Sequence, residues 1–256
     1  MKPRLIVHIL LASFLLTALA CSSSKIKPNM TPEERLEVAK KMLEKGDYLR
    51  AKTQFTILVL NYPGTPIADD AQYYLAEAHF GLKEYILAAA EYEKLVRNYP
   101  QSPFVDDAEY KMGLCYYELS PHYGLDQKYT VQAIQYFQRF LEDFPNSEYR
   151  KDAEKKLMEL RTKLAKKEFK NAELYRKLGY YESAVIYYDG VLNNYYDTPY
   201  AEKALYRKGE CLFKMKKYQE ADQVFSVFEE RYPQSSLLPD VKHYREKIKK
   251  HIQASG

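Results

Sequence analysis

One phrase recurs five times along this chain, and it constrains the fold more than any other feature: NYPGTPIADDA at 61–71, NYPQSPFVDDA at 98–108, DFPNSEYRKDA at 143–153, NYYDTPYAEKA at 194–204 and RYPQSSLLPDV at 231–241. Proline holds the third place in four copies, at Pro63, Pro100, Pro145 and Pro233, and Tyr196 holds it in the other. Twelve residues before each of these places lies an alanine: Ala51, Ala88, Ala133, Ala184 and Ala221. Four residues after each alanine comes an aromatic ring, Phe55, Tyr92, Phe137, Tyr188 or Phe225. A chain that repeats itself at such a period stacks one supersecondary unit on the next, because each unit buries its apolar face only against its neighbours.

The spacing of alanine, aromatic and proline resembles the tetratricopeptide repeat, a helix–turn–helix unit of about 34 residues. Each part has a physical reason. The alanine marks a close crossing of two helices, where a larger side chain would force them apart. The aromatic one turn later fills the space between neighbouring repeats. Proline stops the second helix because it has no N–H to donate, and Ser, Thr or Gly beside it suits a turn. Where the array is uninterrupted, from Pro63 to Pro100 and from Tyr196 to Pro233, the interval is 37 residues, which implies a slightly longer turn between repeats.

Two intervals are longer. From Pro100 to Pro145 it is 45 residues, the excess falling around Ser120–Lys128 (SPHYGLDQK), which predicts a loop inside repeat three. From Pro145 to Tyr196 it is 51. There Tyr149–Leu178 holds no Gly or Pro and is rich in Lys, Glu, Leu and Ala, which predicts one or two long helices. The expected fold is all-α, a right-handed helical solenoid of about five tetratricopeptide repeats bent at a long helical connector between repeats three and four. Residues 31–147 hold repeats one to three, and 148–178 hold the connector and first helix of repeat four. Residues 179–256 hold the rest of repeat four, repeat five and a polar capping helix at Leu237–Ile252, which an array needs for solubility.

The first twenty residues stand apart from the repeats. Lys2 and Arg4 precede an almost uncharged apolar run, Leu5–Ala20, that ends in small residues, the layout of a cleaved secretory signal. The run is at the short end for a membrane span and no stop-transfer pattern follows it. Cys21 comes directly after Ala18-Leu19-Ala20 and before Ser22-Ser23-Ser24. That arrangement resembles the lipobox of bacterial lipoproteins, although Ala18 stands where those proteins prefer Leu. The resemblance implies that Cys21 becomes the first mature residue and carries acyl chains, that 21–30 is a lipidated linker, and that Ser22 favours the outer membrane at its periplasmic face. An ordinary secreted protein cleaved nearby is the alternative.

Composition says which partners to expect. The net charge of +4 gives no reason to expect nucleic acid. Its sign is uneven: Pro66–Glu148 holds 14 acidic and 6 basic residues, and Arg150–Lys177 holds 11 basic and 5 acidic. Either the two stretches meet different partners or they are solvated helix faces. Counting along the repeat places Tyr73, Glu77, Phe80, Tyr110, Leu114 and Tyr117 on the groove-facing side of first helices, with Tyr206 and Phe213 equivalent in repeat five. Tyrosine offers apolar area with a polar tip, so such a groove would suit an extended peptide with apolar or aromatic side chains. The same rings could instead pack against the adjacent helix.

No chemistry-bearing constellation emerges. Cys115 and Cys211 both lie fifteen residues after the repeat proline place, in first helices two repeats apart, and read as small buried hydrophobes rather than a disulfide. His8, His79, His122, His243 and His251 have no metal-ligand spacing, and there is no nucleophile elbow or phosphate loop. Paired acids such as Asp69-Asp70 and Asp106-Asp107 fall at helix starts, where capping and the helix dipole account for them. Neither a cofactor nor an enzymatic activity is expected.

A lipobox followed by these repeats resembles the BamD family, lipoprotein subunits of the outer-membrane β-barrel assembly machinery. The resemblance covers the chain and is most specific in KLMELRTKLAKKEFKNAELYRKLGYYESAV and YYDTPYAEKAL, through Leu164-Ala165-Lys166-x-Glu168, Ala172-Glu173 with Tyr175, and Gly179. It implies a non-catalytic scaffold with three kinds of partner: a BamA-like barrel subunit, other lipoproteins of the machinery, and unfolded outer-membrane protein precursors. The groove residues above would then receive the precursor's C-terminal signal. Arg150, Lys156, Arg161, Lys167, Tyr175 and Arg176, on the basic stretch, would face the barrel subunit. A different envelope adaptor, for pilus assembly or cell division, is the rival reading.

Overall fold

The computed structural model describes residues 29–253, and within them every regular element is a helix. In chain order these are α1 (Pro32–Glu44), α2 (Tyr48–Asn61), α3 (Ala68–Gly81), α4 (Tyr85–Asn98), α5 (Val105–Leu119), α6 (Lys128–Asp143), α7 (Arg150–Lys177), α8 (Tyr181–Asn194), α9 (Pro199–Lys214), α10 (Tyr218–Arg231) and α11 (Leu238–Gln253). The chain is an all-helical tetratricopeptide array: odd-numbered helices from α1 to α9 open a repeat, even-numbered ones close it, and α11 follows the last. The signal segment and Cys21 lie outside the described residues.

Local sequence starts and stops each helix. α1 begins with a reciprocal cap in which the Glu34 N–H donates to Thr31 Oγ1 and the Thr31 N–H donates to Glu34 Oε2, both at 3.2 Å, with Pro32 in the first turn. Four repeats turn from first to second helix through a left-handed residue at one register position: Gly46, Lys83, Gly179 and Lys216, with φ of 75°, 61°, 81° and 59°. The residue after each donates back across that turn, as Asp47 does to Met42 O at 2.9 Å.

The second helices carry the pattern that the repeat predicts. All five repeat alanines and all five aromatics are fully buried, and so are Leu58, Leu95, Phe140, Val191 and Phe228 two turns after the alanines. Each second helix ends where the residue before the proline place donates its N–H to one of those five carbonyls; Tyr195 does so to Val191 O at 2.9 Å. Tyr196 therefore replaces proline without moving the helix end. The following turn closes in every copy through an N–H from Thr65, Ser102, Ser147, Thr198 or Ser235.

The described residues divide into two compact units, one ending at Val105 and the other beginning at Asp106. The first unit holds α1–α4. In the second, α7 shares one core with α5 and α6 (Tyr110, Phe137, Phe140, Ala153, Leu160) and another with α8 and α9 (Phe169, Ala172, Tyr188, Val191, Ala204), so it belongs to the interior of that unit. Its 28 residues equal two ordinary first helices of 14. The interval of 51 instead of 37 residues adds fourteen, close to four helical turns. Such an insert separates the two packing faces by about 21 Å along the axis while rotating them only about 40° relative to each other.

Candidate interaction surfaces

The expected groove tyrosines serve mainly as contacts between successive repeats. In the first unit Tyr73 is 8% exposed and stacks on Phe104 at 4.4 Å and 12°. In the second, Tyr110 is 6% exposed, stacks on Tyr149 at 4.5 Å and 6°, and donates its hydroxyl to Asp152. Tyr206, equally buried, lies against Phe228 and Tyr244. The cause is register. Ten residues after the proline place, a first-helix side chain points to where the next repeat enters. Phe104 and Tyr149, each four residues after their own proline, close on it. Burial, helped by Asp152, pushes the Tyr110 phenol above its ordinary range, so it stays a neutral donor.

The other four groove candidates are distributed differently. Glu77 accepts the hydroxyl of Tyr92, inside its own repeat. Phe80 packs edge-on to Tyr85 at 5.3 Å and stays partly exposed. Leu114 is half-buried at the margin of the Tyr110–Phe137 cluster. Tyr117 donates to Glu159 at 2.5 Å, which with burial pushes its phenol up to about 12, and Lys156 Nζ stands 4.5 Å over its ring. Phe80, Leu114 and Tyr117 thus present surface, whereas Tyr73 and Tyr110 shape what lies beneath it.

Four of the cations on the basic helix α7 are ion-paired within the protein. Arg150 pairs with Glu154 at 2.9 Å, and Lys156 with Asp152 at 3.6 Å. Arg161 reaches across to the α8–α9 turn, donating to both oxygens of Asp197 at 2.8 and 2.7 Å and to Asn194 O at 2.9 Å. That hydrogen bonding holds the Asp197 carboxyl below the usual aspartate value. Arg176 forms a fork with Glu173 at 2.9 and 3.0 Å, and Tyr175 stacks on Tyr187 at 5.2 Å and 14°. Lys167 differs: it donates to the carbonyl of Leu125 at 2.6 Å.

Two features of the second unit were not legible in the sequence. A cavity of about 450 Å³ opens between α7, α9 and the α10–α11 turn, walled by Phe169, Tyr206 and Leu237 with Lys203 and Arg207 at its edge. Glu173, beside it, gathers Arg176 and the Tyr188 hydroxyl; burial raises its pKa, but these donors outweigh burial and hold it below the ordinary value. Only the pair Lys203 and Arg207, one turn apart on a first helix, could have signalled the cavity. Cys115 and Cys211 are buried thiols, and burial pushes that of Cys211 up to about 12, far from a reactive thiolate. Among the described residues no group of His, Cys, Asp or Glu is arranged to hold a metal ion, and no helix is long and apolar enough to cross a membrane.

The sequence profile of the YfiO family, described as outer membrane lipoprotein, matches residues 28–210, including the fused helix α7 that generic repeats lack. The chain belongs to that family. A tetratricopeptide-repeat profile also matches residues 203–235. Among curated relatives of this family member, the outer membrane protein assembly factor BamD of Rickettsia prowazekii is 27% identical over 194 residues, 76% of this chain and 77% of the relative. The protein of the same name from Pasteurella multocida is 25% identical over 224 residues, 84% of this chain and 85% of the relative. That of Neisseria gonorrhoeae is 31% identical over 113 residues, 44% of this chain and 42% of the relative.

Proposed function

We propose that the chain is a non-catalytic, lipid-anchored scaffold of the outer-membrane β-barrel assembly machinery, held at the periplasmic face of the outer membrane by acyl chains on Cys21. The observation that carries this reading is the family match across α1–α9, with relatives named as assembly factors over most of their length. The physical character of the molecule supports it. Helical arrays bind through side chains set along parallel first helices, and here these are aromatic and aliphatic on one face and cationic on α7.

Within that role, unfolded barrel precursors are received by first-helix surfaces of each unit. In the first, Phe80 is the contact beside the packed Tyr73, with Glu77 bracing α3 against α4. In the second, Leu114 and Tyr117 are the contacts beside the packed Tyr110. The α7 face that includes Arg150, Lys156, Arg161, Lys167, Tyr175 and Arg176 meets a BamA-like barrel subunit, alongside other lipoproteins of the machinery. Arg161 and Arg176 act there by fixing the helix, since their charge is already matched.

Isolation of the tagged chain from detergent-solubilised outer membrane, with partners identified by mass, tests the reading. A large β-barrel protein should co-purify, and its absence from an intact preparation would refute the role. For the client surfaces, Phe80→Ala in the first unit and Tyr117→Ala in the second, made singly, should each weaken binding of a peptide ending in an aromatic residue by about tenfold, since each removes ring surface without opening the core. Unchanged affinity would remove these residues from the assignment.

A further inference from the structure

The two places where the repeat is interrupted meet each other. The loop at 120–127, inserted into repeat three, lies along the lengthened middle of α7. Lys163 donates to Ser120 Oγ at 2.7 Å and to Ser120 O at 3.4 Å; Lys166 Nζ stands 4.4 Å over the Tyr123 ring; Lys167 holds the Leu125 carbonyl at 2.6 Å. Lys170, exposed, completes a set at i, i+3, i+4 and i+7, which is one helix face.

The hydrogen-bond and ring partners of Lys163, Lys166 and Lys167 are all neutral groups. The ion pairs of α7 use other cations, and among the described residues no carboxylate forms an ion pair with any of the four lysines. The nearby acids direct their hydrogen bonds elsewhere, although Glu168, whose pKa burial raises, is drawn back down by Lys167. Glu159 accepts from Tyr117 at 2.5 Å, and Asp126 accepts the Lys128 N–H at 2.9 Å. Glu168 faces α8, its Oε1 only 2.8 Å from where a Cβ on Gly190 would lie. Partial burial lowers the pKa of Lys163, with Glu159 alone drawing it upward. Like charges at i+3 and i+4 destabilise a helix, so the cluster is kept against a local cost that an anionic partner would relieve.

We propose that this face receives an acidic segment of a protein partner, a run of Asp or Glu side chains reaching Lys166, Lys167 and Lys170 beside the Tyr123 ring. Three of the four lysines are pinned to a loop, so their charges stand in a set pattern. That suits carboxylates carried on a protein better than a fluid layer of lipid headgroups, for which long, unfixed lysines serve best. The inference rests on the reading of α7 as a partner-facing helix. It narrows that face to four lysines, of which the sequence had singled out only Lys167.

The full chain in detergent micelles is titrated with a labelled hexaglutamate peptide and, separately, with phosphatidylglycerol liposomes, while lysine acetylation is mapped by mass spectrometry. The peptide should protect the four lysines and bind less well as salt rises. Lys166→Gln with Lys170→Gln should weaken it by about tenfold. Lys249→Gln with Lys250→Gln, the same charge loss on exposed α11, should change it less than about twofold. Absence of peptide binding, equal loss in both variants, or protection by liposomes and not by peptide would overturn the proposal. The same map on the complex isolated from membrane separates the two readings. A bound barrel partner with all four lysines still reactive refutes only this inference; failure to isolate any such partner refutes only the earlier one, and the peptide titration then decides this one.

Discussion

Gly209 lies inside α9, where glycine weakens a helix by about 1 kcal/mol relative to alanine. On propensity alone, Gly209→Ala should stabilise the protein. Packing reverses the sign. A Cβ there would lie 2.5, 2.7 and 2.9 Å from Cε1, Cζ and Cδ1 of Phe225, well inside attractive carbon–carbon distance. The ring has little room to yield, since it is fully buried and stacks on Tyr244 at 5.4 Å and 16°. Overpacking a filled core costs about 1–3 kcal/mol, and overlap this deep places the cost at the upper end. After the helix gain, the variant should be about 1–2 kcal/mol less stable, lowering the thermal midpoint by about 2–8 °C for a chain of this size.

Circular dichroism at the helix band during heating and during urea titration reads this directly. Gly113, whose added Cβ would meet Phe137 at 2.7 Å, should respond alike. The chain carries a partial control: at the same register Ala76 and Ala172 sit opposite tyrosines, Tyr92 and Tyr188, whose hydroxyls are held by Glu77 and Glu173. The first repeat, with Ala39 and Phe55, does not follow this division. Adding Phe225→Leu to Gly209→Ala should cost less than the two single effects combined, because leucine withdraws the colliding atoms. A midpoint that rises in Gly209→Ala would refute the reasoning, since propensity would then outweigh the contact.

Lys83→Gly and Lys216→Gly, at φ of 61° and 59°, should each stabilise by about 1 kcal/mol by relieving left-handed backbone, visible as higher urea midpoints. Tyr188→Phe should cost about 1–2 kcal/mol in thermal unfolding, because a buried hydroxyl loses its bond to Glu173 while Arg176 keeps that carboxylate paired. Arg161→Ala should cost about 1–2 kcal/mol at neutral pH, allowing for partial exposure of the pair. Asp197 titrates below its ordinary 3.8 in the folded chain. The contribution is therefore complete above that value and lost as pH falls through the lower folded one, so parallel acid titrations of wild type and variant should converge there.

Much of this molecule was determined by sequence alone. The recurrence of alanine, aromatic and proline gave helix pairs, because small side chains at crossings and a missing N–H at helix ends act locally and identically in each copy. The long interval without Gly or Pro gave α7 for the same reason. What tertiary structure decided was the fate of each side chain once helices were laid together. Counting along a first helix placed Tyr73 and Tyr110 on the groove side. Only the arrival of Phe104 and Tyr149 from the next repeat shows them covered, as stacking depends on residues 31 and 39 positions away. The basic run from Arg150 looked like one charged surface. Folding matched Arg161 to Asp197 and Arg176 to Glu173. Among the described residues it left Lys163, Lys166, Lys167 and Lys170 together on one face without an ion pair, besides the exposed Lys151, Lys155 and Lys177, which net charge cannot reveal because pairing is set by three-dimensional distance.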